Sequence, residues 1–294
     1  VGIDTSDDSS RSEGGQIMLP NETLAERNER LFACTAPVAF VSGSTAPRVG
    51  RRIAEYLLSQ DFRVFLHAHR SSPQATDLIE QINASGKSAW GVVGNVQDEA
   101  QVASWVEETL KHFGRIDVVV NAAAIWEPKA LEQTTAADYL HSFQVNTLGS
   151  TLCTQHFGLA MTRQEQGGAI INIGDWAVAR PYRDFAAYFV SKAGIATLTQ
   201  TMAVELGVRN PRVRVNAVLP GPILLADGVK PATRERIAQD CLLKREGTAD
   251  DLAQAVMFLA TSPFITGVCL PVDGGRSIWA GNSSDSVAHP NWSP

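Results

Sequence analysis

The chain has 294 residues, 44% of them apolar and 19% charged, with a net charge of −6. This is the composition of a globular protein with a sizeable core, not of a disordered chain. The negative balance argues against general nucleic-acid binding, which needs a positive footprint, but leaves room for one nucleotide held by local donors.

Residues 1–15 are rich in Ser, Asp and Gly and hold no apolar stretch of the signal-peptide kind, so they are expected to be disordered. Residues 20–33 are expected to form a short polar helix outside the core. From Pro37 onward, apolar runs of β type alternate with helical stretches. The predicted strands are 37–42, 63–68, 88–93, 116–121, 168–173, 212–218 and 268–272. Several are continuous apolar runs, as parallel strands buried on both faces require. The predicted helices lie near 48–59, 73–85, 98–113, 135–163, 186–207 and 249–261. Thr135 and Asp138 have the spacing of a capping box at a helix start. Repeated β-α-β units with right-handed crossovers predict an α/β fold: a single Rossmann-type domain with a doubly wound parallel sheet of about seven strands. The expected limits are 1–36 for an N-terminal extension, 37–278 for the domain and 279–294 for a C-terminal tail. Residues 220–248, with Pro220, Gly221, Pro222, Gly228, Pro231 and Gly247, break the rhythm and are expected to form a substrate-side flap.

No apolar run approaches the roughly 18 residues of a membrane span. The cysteines Cys34, Cys153, Cys241 and Cys269 have neither C-x-x-C nor metal-ligand spacing. They are expected to be reduced, in a cytoplasmic protein without a metal site.

The first predicted strand ends in the turn Ser42 to Gly50, and a helix follows. Gly43 permits a tight turn and Gly50 a close helix–sheet approach, so Gly43, Arg48, Val49 and Gly50 are candidates to bind a pyrophosphate at the helix N-terminus. The second strand ends in His67-Ala68-His69-Arg70-Ser71-Ser72, with no Asp or Glu to grip ribose hydroxyls. Arg70 and Ser71 instead offer donors that suit a 2′-phosphate, and Arg48 can approach the same group. These residues favour NADP(H), with His69 beside them.

Tyr188 and Lys192 stand four apart, on one face of a predicted helix. An ammonium near a phenol favours the phenolate, which makes Tyr188 a candidate to pass a proton. Asp175 precedes the pair.

Taken in order, the Gly43 turn, Asn121-Ala122-Ala123, Asn146, Tyr188 with Lys192, Pro220-Gly221 and Val272-Asp273-Gly274-Gly275 resemble the short-chain dehydrogenase/reductase family over roughly residues 37–278. The resemblance implies that Tyr188 is the proton donor. Lys192 would hold the nicotinamide ribose and tune Tyr188, and Asn146 would position a relay water. Asn121, Ala122 and Ala123 would line the adenosine and ribose, Asn95 and Val96 would flank the adenine, and Pro220-Gly221 would pack on the nicotinamide amide. Asp273-Gly274-Gly275 would serve fold and subunit packing. A homotetramer built through the helices near 140–163 and 186–207 is the family expectation.

The departures narrow the resemblance. Asp175 stands where the family usually has a catalytic Ser, Arg48 where a middle glycine is usual, and Ala123 where the N-A-G glycine falls. Asp175, Arg48 and the His67-Ala68-His69-Arg70-Ser71 run resemble the branch of pteridine reductases and bacterial dihydromonapterin reductases. In that branch an aromatic residue shortly after the N-A segment stacks on the pterin, and Trp126 matches it. Trp126, Asp175 and Tyr188 would then meet a flat substrate whose C=N bond receives hydride at carbon and a proton at nitrogen. Two other readings stay open. One is an NADP(H)-dependent carbonyl/alcohol oxidoreductase acting on a small ketone, sugar or acyl substrate; Trp126 can equally be an ordinary core or rim aromatic. The other is a catalytically weak nucleotide-binding regulatory protein. A small-molecule substrate is expected in the first two readings, and neither nucleic acid nor membrane is expected as a partner.

Overall fold

The computed structural model describes residues 22–225 and 228–279. The expectations for residues 1–21 and 280–294 lie outside the described residues. Seven strands, β1 (Val38–Ser42), β2 (Arg63–Ala68), β3 (Ala89–Val93), β4 (Val118–Asn121), β5 (Gly168–Ile173), β6 (Val213–Pro220) and β7 (Cys269–Val272), form one sheet in the order β3-β2-β1-β4-β5-β6-β7. Every described strand pairing is parallel. This is the doubly wound Rossmann-like sheet expected from the sequence.

Alternation along the strands explains their continuous apolar character. Ala39 and Val41 of β1 join one core cluster while Val38 and Phe40 join the other. In β4, Val118 and Val120 face the first cluster and Val119 the second. Helices α2 (Val49–Ser59) and α9 (Ala249–Thr261) close the first face through Ile53, Leu57, Leu252 and Val256. Helices α4 (Glu99–Phe113) and α6 (Gly149–Met161) close the second through Trp105, Val106, Phe157 and Met161. With both faces covered, the strand ends are where ligands can enter. The order reverses between β1 and β4, which opens the crevice of this topology.

Two elements differ from expectation. Helix α1 (Leu24–Phe32) does not stand outside the core. Asn28 is fully buried and donates to the Thr35 and Gln60 carbonyls. Phe32 is 6% exposed and packs edge-on against Phe62, with 5.4 Å between ring centroids. A mostly polar helix hides its few anchoring residues from a periodicity reading.

The helix expected over 135–163 is interrupted. It begins with the anticipated cap, where Asp138 Oδ2 accepts from the Thr135 N–H at 2.7 Å and its hydroxyl at 2.6 Å. It then runs as α5 (Ala136–Phe143), a π-helical turn (Gln144–Leu148) and α6. The extra residue in such a turn re-aims side chains and is frequent at functional sites. Within the expected flap, the described residues include helix α8 (Pro231–Gln239), and Ile223 bridges to Gly247 at its base. Helices α3 (Pro73–Ala84) and α7 (Ala186–Arg209) complete the described set.

Removing the Phe32 ring should leave a cavity beneath α1. Phe32→Ala is expected to lower unfolding free energy by about 3 kcal/mol, read as a lower urea midpoint. An unchanged midpoint would mean that α1 adds nothing to the fold.

Candidate active site

The cradle between β1 and β4 is built for close backbone approach. Gly43 has φ +63°, and a Cβ there would lie 2.8 Å from Ala123 Cα. A Cβ on Gly50 would lie 2.5 Å from the Gly43 carbonyl oxygen. Ser42 Oγ accepts from the N–H groups of Ala122 at 3.0 Å and Ala123 at 3.1 Å, tying the two strand ends together. Helix α2 starts after Arg48, whose side chain does not cap it. Its first-turn N–H groups and dipole are therefore available to an anion. Arg48, His69, Arg70 and Ser71 are all exposed around this end, and among the described residues neither arginine has an ion-pair partner. The turn fits a pyrophosphate and the arginines fit a further phosphate.

Other candidates have structural partners as well. Asn121 is buried between strands, and its amide donates to Asn172 Oδ1 at 2.8 Å and Thr154 Oγ1 at 2.9 Å. The Asn95 N–H donates to Gln101 Oε1, and Asn95 Oδ1 accepts from the Gln97 N–H. Val96 is buried beneath Gly149, where a Cβ would come within 2.6 Å of its side chain. The Gly221 N–H after Pro220 donates to the Val272 carbonyl at 2.9 Å. Asp273 closes its own turn by accepting from the N–H groups of Gly275 and Ser277.

His67 is the residue that sequence reasoning missed. In the sequence it stands only as part of a motif, yet it is 1% exposed and clamps three strand ends. Its Nδ1 accepts from the Gly43 N–H at 3.0 Å, and its Nε2 lies 3.0 Å from the Gly94 carbonyl. That arrangement fixes a neutral ring protonated at Nε2. Burial pulls its pKa down to about 4, against a smaller opposing effect of the Gly94 bond. Its place two residues after Phe65, on the same buried strand face, was the available signal.

Asp175, Tyr188, Lys192 and Asn146 converge beyond the ends of β4 and β5. The Tyr188 hydroxyl donates to Asp175 Oδ2 at 2.6 Å. Lys192 Nζ donates to the Ile173 carbonyl at 2.8 Å. Burial raises the Asp175 pKa, outweighing its bonds from Tyr188 and the Ala177 N–H and the charge of Lys192. Burial also raises Tyr188, reinforced by the Asp175 charge and hydrogen bond. Lys192 is pulled down to about 8 by burial, partly opposed by Asp175. This corrects the expectation of a phenol made more acidic by its lysine. The tyrosine bonds a carboxyl group, and the lysine bonds a carbonyl.

Asn146 sits in the π-helical turn, fully buried. Its Oδ1 accepts from the Ile125 N–H at 2.8 Å, and its amide donates to the Ile125 carbonyl at 3.1 Å and to Ser191 Oγ at 2.9 Å. It thereby pins the segment before Trp126 to helix α7. Trp126 stacks on Phe185 at 4.6 Å with a 16° interplanar angle, donates to the Tyr182 hydroxyl at 3.3 Å, and is still 41% exposed. Phe185 was a second missed residue; nothing in its spacing marks it. Among the described residues no cluster of side chains is suited to a metal ion, and no helix is long and apolar enough to cross a membrane. All four cysteines are free.

A parallel sheet with this cradle and an adjoining hydrogen-bonded tyrosine–aspartate pair points to a class, the dinucleotide-dependent oxidoreductases. The family profile described as Enoyl-(Acyl carrier protein) reductase matches residues 46–277. A 3-oxoacyl-[acyl-carrier-protein] reductase of Synechocystis is 35% identical over 248 residues, covering 83% of this chain and 98% of that protein. The 3-oxoacyl-[acyl-carrier-protein] reductase FabG of Staphylococcus aureus is 32% identical, covering 81% and 96%. A crystal structure of a chain described as a short-chain alcohol dehydrogenase from Sinorhizobium meliloti 1021 superposes with a TM-score of 0.76 at 25% identity, covering 83% and 97%. The chain belongs to the short-chain dehydrogenase/reductase family.

His67 is neutral in the fold, whereas the unfolded chain protonates it near its ordinary value of 6.5. The unfolded state therefore binds the extra proton below that value, and stability falls as pH drops toward the folded pKa of about 4. The loss is about 2 kcal/mol between roughly pH 7 and pH 5. Urea titrations across that window should show a shallower loss in His67→Asn. Parallel slopes for both proteins would rule out a neutral, clamping His67.

Proposed function

We propose that the protein is an NADP(H)-dependent reductase of flat heteroaromatic C=N compounds of the pterin type. The observation that carries this reading is the 2.6 Å hydrogen bond between Tyr188 and the half-buried Asp175. A serine hydroxyl at position 175 would orient the tyrosine but is far too weak an acid to hand on its proton. A carboxyl group can act as the acid, and burial, the largest influence on Asp175, raises its pKa in the direction an acid needs. Reduction of C=N consumes one hydride at carbon and one proton at nitrogen. The bound cofactor supplies the hydride. Tyr188 delivers the proton to the substrate nitrogen and is recharged from Asp175, which is in turn recharged from solvent. Lys192 places its positive charge against Asp175 and the Ile173 carbonyl, balancing the site when the carboxyl group is ionised.

The remaining assignments follow the same reading. The backbone of Gly43, Val49 and Gly50 would hold the pyrophosphate. Arg48, Arg70 and Ser71, with His69 beside them, would hold the 2′-phosphate. Asn95 and Val96 would border the adenine, Asn121, Ala122 and Ala123 the ribose, and Pro220 and Gly221 the nicotinamide amide. Phe185 backs one face of Trp126, and the tryptophan's other face would offer a flat ring a stacking surface. Asn146 would act by holding this wall in place. The exposed Leu140, Phe143, Val190, Val204 and Val208 on α5 and α7 are apolar surface that a homotetramer would cover. A monomer by light scattering would remove that inference.

A second reading is reduction of a 3-oxoacyl thioester, favoured by what the Synechocystis and Staphylococcus aureus relatives are named to act on. Stopped assays with NADPH and either dihydrobiopterin or an acetoacetyl thioester separate the two. Turnover confined to the thioester would overturn the C=N reading. Tyr188→Phe should lower the rate by about 10²–10⁴-fold while cofactor binding persists. A proton-loaded Asp175 is present below its raised pKa and lost above it, so the rate should fall as pH rises through that value. Asp175→Asn should abolish that limb. Arg70→Ala should weaken NADPH by about tenfold or more and leave NADH unchanged; equal weakening of both would refute a 2′-phosphate site.

A further inference from the structure

Beside the catalytic pair lies a cleft of about 260 Å³ walled by Trp176, Arg180, Tyr182, Asp240, Arg276 and Trp279. It adjoins the site directly. Trp176 follows Asp175 in the chain and packs in the same aromatic cluster as Tyr188. The Tyr182 phenol is pushed up by burial and is near enough to Asp175 and Arg276 to feel both, the first raising it and the second lowering it. One wall of the cleft is therefore also a wall of the site.

The guanidiniums of the cleft are held mainly by backbone carbonyls, with one longer contact between Arg276 and Asp240. Arg276 Nη1 donates to the Ile237 carbonyl at 2.7 Å, its Nη2 lies 3.3 Å from Asp240 Oδ2, and its guanidinium stands 5.0 Å from the Trp176 ring centroid. Arg180 uses Nη1 for the carbonyls of Arg276 and Trp279. Its Nε and Nη2 have no hydrogen-bond partner among the described residues. The Trp279 indole Nε1 is buried and likewise without a partner among them. A buried donor left unpaired is costly unless something fills its place. The lining thus carries two guanidiniums against the single carboxylate of Asp240, between aromatic walls. That surplus of positive charge matches a monoanion attached to a flat group.

We propose that this cleft is a specificity subsite for a carboxylate carried on an aromatic spacer, at the far end of the substrate whose reducible bond lies at Tyr188. Arg180, Arg276 and the Trp279 indole bind the carboxylate, and Trp176 and Tyr182 wall the spacer. The position of the reducible bond rests on the function proposed above; the subsite itself rests on the cleft.

Calorimetry on the full chain with 4-aminobenzoate and its neutral counterpart 4-aminobenzamide tests the subsite without turnover. The acid should bind about tenfold more tightly than the amide, as charge-assisted bonds to arginine predict. Arg180→Gln and Arg276→Gln should erase the preference. Arg276 also anchors helix α8, so the exposed Arg180 supplies the variant that leaves the fold intact. Asp240→Asn should strengthen acid binding by removing the opposing charge. Equal binding of acid and amide, or a preference that survives both arginine variants, would overturn the proposal. Kinetics with two dihydropterins, one with a neutral side chain and one ending in a carboxylate, separate the two inferences. Selective binding of the acid without reduction of either pterin would sink the ring assignment and keep the subsite. Reduction of both with equal KM, unchanged in Arg180→Gln, would do the reverse.

Discussion

A parallel sheet covered by helices on both faces leaves chemistry one place to go. Strands β1, β4 and β5 are buried almost throughout, so polar side chains can meet a ligand only at their ends, as Asn121 does in the proposed assignment. The turns after their C-terminal ends carry the exposed functional groups instead. Gly43, Ala122 and Asp175 each follow one of these strands within a residue or two. What looks in the sequence like a scatter of motifs is one edge of a sheet, and the strand order decides which motifs become neighbours.

That edge is held by groups which do no chemistry. Ser42 binds two N–H groups of the β4 turn, and His67 ties the β1 turn to the segment after β3. Asn121, Asn172 and Thr154 form a buried polar link between β4, β5 and α6. Each satisfies a backbone or side-chain group that a strand end would otherwise leave unpaired inside the protein. The neutrality of His67 belongs to this role. A protonated ring could not accept from the Gly43 N–H, so the same burial that depresses its pKa also keeps the turn in place.

The order of strands and helices was legible because parallel strands advertise themselves as apolar runs and the glycine and Y-x-x-x-K spacings are local. Asp175 was legible as a departure, thirteen residues before Tyr188. The rest depended on contacts distant in sequence. Trp126 and Phe185 meet only after α7 is laid against the β4 turn. Arg180 and Arg276 meet only when the end of the chain returns past β7. The π-helical turn at Gln144–Leu148 leaves no mark in a periodicity, since one extra residue per turn shifts a helical stripe without breaking it. Helix α1 hid its attachment for another reason, because a polar helix can dock through a few residues, here Asn28 and Phe32 with help from Arg27 and Leu31.

The exchange of a serine for Asp175 changes how protons are stored at the site. In water, moving a proton from a lysine ammonium to an aspartate costs about 9 kcal/mol, from the gap between their ordinary pKa values. Burial disfavours both charged forms, raising Asp175 and bringing Lys192 down to about 8. The gap therefore narrows from both ends. Tyr188 lies on the Asp175 side of this pair, and burial with the Asp175 charge favours its protonated form, so in the proposed reaction it would pass its proton onward as the carboxyl group replaces it. A serine in that position would have fixed the tyrosine's orientation and left proton supply to the solvent. In the proposed reduction of a C=N bond, the aspartate would place that supply inside the site, beside the nitrogen that takes a proton as hydride arrives.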